Sequence, residues 1–479
     1  RGAGAPAPPG VPGGAGGGAG PAMTDLGACS EREWTLALPG LKRPDAASLD
    51  LSPMREYEKA TAKARASKHL PGCCSIAIAG DQVLQVGGFG FADLEHGARM
   101  TTGSIVRLYC LTKPMIATAL MILVERGACR LEDDVSKYLP EFSAARVCAR
   151  PGSLRTTQGD PSPRSKLSLR RLLTHSSGLG YGPVLGMDPA GPGEAAYKHI
   201  VKDCDAGRIT SLRALCRELA KLPLRFHPGK RYMYSYGLDV VGRVIEVISR
   251  KRLDRFLKDE LFGPLGMRDT GFAVPGPVAK RRLAALYASL HNKKSMGERV
   301  SASDTRHKTV LGALMRVDGS RPGQSAWVKG RSCPVLSGGG IMGENRGGLV
   351  STLADQTRFY MALLRGGQLS PGHRRLLRPE TVEGMWGTDW LTRPDVVGKA
   401  CYEARKRFGW HALGEIGVVK RPGLYPDSWE VGEWGMAGAA CTHVVVNPKR
   451  QTLCMWFTQT LEGWPGWRTK EQSLWVAVE

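Results

Sequence analysis

Cys110 and Lys113 stand three positions apart in Arg107-Leu108-Tyr109-Cys110-Leu111-Thr112-Lys113-Pro114. On a helix, positions i and i+3 share a face, so a thiol and an ammonium at this spacing can meet. Pro114 suits a first helical turn, where its missing N–H costs little. The helix N-terminus adds partial positive charge. Ammonium and helix end both favour the thiolate, the nucleophilic form of cysteine. The chemistry implied is nucleophilic attack by sulfur through a covalent intermediate. Read alone, the tetrapeptide also fits a core cysteine beside a surface lysine, because Cys-x-x-Lys recurs by chance.

Other residues invite chemistry less directly. Tyr232, Tyr234 and Tyr236 alternate and would share one face of an extended segment, which packing alone also explains. His175 suggests a Cys–His pair, but it sits in His175-Ser176-Ser177-Gly178, a run of turn formers. Trp434-Gly435-Met436-Ala437-Gly438-Ala439-Ala440-Cys441-Thr442 is rich in small residues, which lets a backbone approach a substrate closely or lets a strand pack tightly.

The elements that would carry these residues follow from apolar spacing. Met115, Ile116, Ala119, Leu120, Leu123 and Val124 repeat at helical intervals up to Gly127, predicting a buried helix with the Cys110 motif at its N-terminus. Residues 74–79 and 82–91 read as strands around Gly80-Asp81, and 442–446 and 452–458 as strands around Asn447-Pro448-Lys449. Helices are predicted over 53–69, 167–174, 238–248, 253–261 and 355–364, the last stopping at Gly366-Gly367. Residues 264–267 read as a turn and 288–335 as an elaborated polar loop. Ser337 to Gly340 and Gly347-Gly348 bracket a flexible glycine-rich segment. Strands at both ends with helices between predict one α+β domain over 51–465, its sheet built from both ends. A Gly/Ala/Pro tail over 1–22 cannot bury enough surface to order itself; 23–50 is an irregular lead-in and 466–479 a C-terminal end.

Of 479 residues, 42% are hydrophobic, which excludes wholesale disorder. The net charge of +23 is spread through the chain, and clusters such as Lys280-Arg281-Arg282 are broken at once by apolar residues. No nucleic-acid motif accompanies it, so a nucleic-acid partner is not expected; a basic surface, or steering of an anionic substrate, accounts for the charge. The twelve cysteines have no metal-site spacing and lean toward core thiols in a reducing compartment. No metal or organic cofactor is expected. The apolar run 115–124 is too short to cross a bilayer, and the N-terminus has no signal-peptide core. Because the sequence does not open with Met, the true start and a transit peptide stay open.

Several stretches in order change the reading of Cys110. After its motif come Leu131-Glu132-Asp133-Asp134-Val135-Ser136-Lys137-Tyr138-Leu139-Pro140, Leu172-Leu173-Thr174-His175-Ser176-Ser177-Gly178-Leu179, Tyr234-Ser235-Tyr236, Phe262-Gly263-Pro264-Leu265-Gly266-Met267-Arg268-Asp269-Thr270 and Gly347-Gly348-Leu349-Val350-Ser351-Thr352. This order resembles the serine β-lactamase-related family of class C β-lactamases, penicillin-binding proteins and their esterase relatives. The resemblance implies an antiparallel sheet flanked by helices, plus a mainly helical region, with the active site between them. It places Cys110 where the family has its nucleophilic Ser, Lys113 at its Lys, and Tyr234 at the Tyr that serves as base or proton shuttle. His175 falls in a non-catalytic turn. Tyr236 stands where β-lactamases and peptidases carry a substrate-binding Asn, and Tyr has no amide to replace it. No Lys occupies the third motif. Two registers compete: alignment on Trp434-Gly435 needs extra residues, whereas alignment on Gly438-Ala439-Ala440 and Thr442 needs none, puts Met436 where the esterase branch has Trp, and gives the Ala439 N–H a place in an oxyanion hole with that of Cys110.

The reading is therefore a hydrolase or acyltransferase of small ester or thioester substrates, closest to the esterase branch. A β-lactamase or D-Ala peptidase fits less well. The alternative is an inactive scaffold that keeps the fold, supported by the departures at Cys110, Tyr236 and the third motif. A polyanion-binding protein is a third reading, resting on net charge alone.

Overall fold

The computed structural model describes residues 40–42, 70–149, 155–156, 161–181, 195–274, 276, 279, 281–289, 310–311, 314–316, 335–340, 346–369, 372, 374–387, 408–417 and 432–461. The tail over 1–22, the lead-in apart from 40–42, the helix expected over 53–69 and the end over 466–479 lie outside the described residues.

An antiparallel sheet joins the two ends of the domain. Its first part supplies β1 (Gly72–Ala79), β2 (Gln82–Asp93) and β3 (Ala98–Arg99). Its last part supplies β4 (Phe408–Trp410), β5 (Glu415–Gly417), β6 (Trp434–Gly438), β7 (Thr442–Asn447) and β8 (Thr452–Thr458). The order is β4-β5-β6-β7-β8-β1-β2-β3. Cys74 lies opposite Phe457 and Ile76 opposite Met455 across the central ladder. β8 is buried throughout and β1 in all but Ala79. Strands covered on both faces read as continuous apolar runs, which is the pattern both show.

The helices cover this sheet and build a second region beside it. α1 (Thr112–Glu125) is buried from Thr112 to Leu123, as expected of a helix that is apolar all round. α2 (Leu169–Leu173), α3 (Ala195–Asp205), α4 (Leu212–Ala220) and α5 (Gly237–Ser249) form the helical region. The Ser211 hydroxyl caps α4 by accepting from the Ala214 N–H at 3.1 Å. α5 buries Leu238, Val241, Val244 and Ile245 and packs on α1, α2 and α4. α6 (Leu253–Leu257) runs into a π-helical turn over Lys258–Phe262 and then the short turn Gly263–Leu265, so the turn predicted over 264–267 begins helically and is stopped by Gly266. α7 (Leu353–Leu364) lies against β1 and β8. Among the described residues, no helix is long and apolar enough to cross a membrane.

The polar stretch over 288–335 is not wholly a loop. Tyr287–Ser289 pairs with Leu314–Arg316, which pairs with Val310–Leu311, and Thr460–Leu461 joins the other side in parallel. Arg316 is buried and pairs with Asp93 and Glu95, each at 3.1 Å. A small sheet held by a buried ion network lacks the alternating apolar pattern by which strands are recognised.

Candidate active site

Cys110 occupies a 3-10 turn, Tyr109–Leu111, that feeds directly into α1. The motif is therefore at the helix start, with Cys110 just before the α-helix and Lys113 inside its first turn. The turn is tightly specified. Tyr109 adopts a φ of +49°, uncommon for a residue with a side chain. The Leu108 N–H donates to Leu349 O at 3.0 Å, and the Leu349 N–H donates to the Thr112 hydroxyl at 3.0 Å.

Ser337 to Gly340, one bracket of the segment expected to be flexible, is buried and wedged behind the turn bearing Cys110, while residues 341–345 lie outside the described residues. Gly340 has a φ of +72°, and a Cβ there would fall 1.9 Å from Tyr109 O. Only glycine fits so close an approach. The Lys113 ammonium, 2% exposed, donates to Gly339 O and lies 4.5 Å from the centroid of the Tyr234 ring.

Lys113 and Tyr234 both reach the Cys110 sulfur with a hydrogen-bonding group. Burial pulls the Lys113 pKa below its ordinary value, while Cys110 and Asp239 oppose the fall. Burial also pushes the Tyr234 phenol well above its ordinary range, with Cys110, Tyr181 and Tyr232 adding to the rise. Tyr234 is thus held in its neutral form beside Cys110 and Lys113.

The tyrosines form a contiguous row, although residues 231–235 make no strand. Tyr232 meets the His175 ring edge-on at 6.0 Å, Tyr234 lies between His175 at 4.5 Å and Tyr181 at 5.3 Å, and Tyr236 lies between Tyr181 at 5.2 Å and Tyr197 at 6.0 Å. His175 is fully buried with a φ of +53°. Its Nδ1 accepts the Ser235 N–H at 3.1 Å, and its carbonyl accepts the Met233 N–H at 2.8 Å. The turn residue therefore fixes both sides of Tyr234. Tyr236 is 1% exposed and stacked into the core, one ring removed from Tyr234.

The third motif reaches the same turn through its backbone. β6 ends at Gly438, and residues 438–441 form the tight turn into β7, closed by the Cys441 N–H donating to Gly438 O at 2.9 Å. A Cβ on Gly438 would fall 2.3 Å from Leu108 O, so a side chain there would push the turn bearing Cys110 away. Ala439 packs with Tyr109, while Met436, 7% exposed, points into the core cluster that also contains Cys110. β5 pairs with Trp434 and Gly435, and no strand among the described residues pairs with that edge from Met436 to Gly438.

Sequence reasoning passed over Asp239 and Ser337. The Ser337 hydroxyl donates to the Asp239 carboxylate at 2.7 Å, behind Lys113. The available signal was an acidic residue inside the apolar stripe of α5, flanked by Leu238, Val240 and Val241.

With this geometry in place, comparison with known proteins gives a consistent result. The Beta-lactamase family profile matches residues 57–478. Esterase EstB of Burkholderia gladioli is 31% identical over 335 residues, covering 69% of this chain and 80% of EstB. Among solved structures, EstCE1, described as a hydrolase with promiscuous acyltransferase activity, superposes with a TM-score of 0.67 at 22% identity, covering 89% of this chain and 98% of EstCE1. Unliganded simvastatin synthase LovD of Aspergillus terreus superposes with a TM-score of 0.64 at 20% identity, covering 89% of this chain and 98% of LovD. The chain belongs to the Beta-lactamase family.

Proposed function

We propose that this family member is a carboxylic-ester hydrolase or acyltransferase that forms a thioester on Cys110. The observation that carries the reading is the convergence of Lys113 and Tyr234 on one sulfur. The names of EstB and EstCE1 support esters as the substrate class.

In this reading the Lys113 ammonium holds the Cys110 thiolate. The sulfur attacks the ester carbonyl carbon, and the N–H groups of Cys110 and Ala439 receive the oxyanion. Tyr234 gives its proton to the departing alkoxide as the C–O bond breaks, leaving a thioester and a phenolate beside Lys113. Water or an acceptor alcohol returns a proton to Tyr234 while its oxygen attacks the thioester, and the thiolate departs. Tyr236, buried in the core and without a side-chain amide, and Met436, an uncharged side chain in a third motif that holds no Lys, both count against β-lactam recognition.

The test is intact-mass analysis after incubation with short p-nitrophenyl esters, with peptide mapping of the adduct. One acyl group on Cys110 is expected, with turnover reduced at least 100-fold in Cys110→Ala, on the order expected for removal of a covalent nucleophile. Burial raises the pKa of the Cys74 and Cys216 thiols and pushes that of Cys129 up to about 12, so these compete poorly for acyl donors. Unchanged turnover in Cys110→Ala would sink the mechanism, and absence of both adduct and turnover would leave an inactive scaffold.

A further inference from the structure

Asp239 is an acidic side chain in the first turn of α5 and is 1% exposed. A carboxylate so deeply buried is costly unless other groups compensate its charge. One oxygen accepts from the Ser337 hydroxyl at 2.7 Å. The other lies against Gly339, where a Cβ would fall 2.4 Å from it. The carbonyl of that same residue accepts from the Lys113 ammonium. Carboxylate and ammonium thus flank one peptide group, in a place water does not reach.

We propose that Asp239 is the positioning residue of the site: through Ser337 and Gly339 it holds the Lys113 ammonium against Cys110, as the carboxylate buried with it. The proposal rests on the reading of Cys110 and Lys113 as the reacting pair. Lys113 is faced by Cys110 from the nucleophile turn, by Tyr234 from the segment before α5 and by Asp239 from α5 itself. Tyr181, Tyr232 and His175 border Tyr234. Cys216 of α4 shares its surroundings with Asp239, Glu141, Arg243 and Glu246. Asp239 is the carboxylate that opposes the effect of burial on Lys113. Its removal therefore lets the ammonium lose its proton at lower pH.

Asp239→Asn keeps the shape and an acceptor for Ser337 but removes the charge. The readout is the titration of Lys113 followed by 13C NMR of its Cε, assigned with Lys113→Arg, alongside the pH profile of kcat/KM on p-nitrophenyl butyrate. The midpoint is expected to fall by about one pH unit, and the alkaline limb of the rate profile to move with it, giving a loss of about fivefold at the wild-type midpoint that approaches tenfold above it. Ser337→Ala removes the hydrogen bond and leaves the charge. It is expected to lower kcat about tenfold with the midpoint held within about 0.3 unit. A midpoint unchanged in folded Asp239→Asn overturns the charge role. Wild-type kcat in Ser337→Ala overturns the positioning role, and this arm stands even if Asp239→Asn does not fold. The NMR midpoint is read without turnover, so a failure of the ester reading, seen as unchanged turnover in Cys110→Ala, stays distinct from a failure here.

Discussion

A single methyl group at Gly340 separates backbone strain from misplacement of the nucleophile. In Gly340→Ala the new carbon would fall 1.9 Å from Tyr109 O and 2.4 Å from its carbonyl carbon. Carbon and oxygen ordinarily approach no closer than about 3.3 Å. One of the two backbones must therefore move by more than an ångström, and Tyr109 is directly bonded to Cys110. A displacement of about 1 Å at a reacting atom costs on the order of 100-fold in rate. The substitution also forces a residue with a side chain to a φ of +72°, at about 1–2 kcal/mol. Gly266 supplies the control: its φ is +66° and nothing lies within 4 Å of its Cβ position. Gly266→Ala should lose about 1–2 kcal/mol of stability with turnover within about twofold of wild type. Gly340→Ala should lose more stability and about 100-fold in kcat/KM. Differential scanning calorimetry and p-nitrophenyl ester hydrolysis give both numbers. If Gly340→Ala matches Gly266→Ala in melting temperature and keeps wild-type turnover, the wedge behind the nucleophile has been misjudged.

Two further outcomes follow from groups already placed. Tyr234→Phe removes the proton donor of the acylation step, so kcat/KM for alkyl esters should fall by about 10²–10⁴-fold, while kcat/KM for p-nitrophenyl esters, whose leaving group needs no proton, falls far less; equal losses in kcat/KM would contradict the donor role. His411 is fully buried, its pKa is pulled down to about 3, and its Nδ1 accepts the N–H groups of Leu413 at 2.9 Å and Gly414 at 3.2 Å. Its folded pKa lies below the unfolded value of about 6.5, so its stabilising contribution is present above pH about 6.5 and lost as pH falls toward 3, by up to roughly 5 kcal/mol. Denaturant unfolding across that window should show the decline, and His411→Gln should flatten it; an unchanged slope would mean another group carries it.

The sheet centre and the helix that follows Cys110 were legible because burial on all sides leaves continuous apolar text in 74–79, 452–458 and 115–124. Cys110, Lys113 and Tyr234 were legible only through the order of the motifs around them, since each short string is common by chance. The wedge at Ser337 to Gly340 was missed because consecutive glycines spell a flexible loop as readily as a close backbone contact. His175 was correctly read as a turn former, but its grip on Tyr234 depends on residues 60 positions apart and has no local signature. The strands around Leu314 were missed because a buried Arg316 network holds them in place of an alternating apolar face.

The pairing of β1 with β8 sets a timetable for the nascent chain. β1 leaves the ribosome with β2, yet its other neighbour is encoded several hundred residues later. At ordinary elongation rates that interval is roughly 20–70 s. Throughout it one edge of β1 stands open, and the turn bearing Cys110 lacks the Gly438 backbone that presses on Leu108. The Cys110 thiol is thus less enclosed before the protein is finished, and a chain stopped short of Trp434 would leave both Cys110 and an unpaired strand edge open to oxidants, chaperones and other chains.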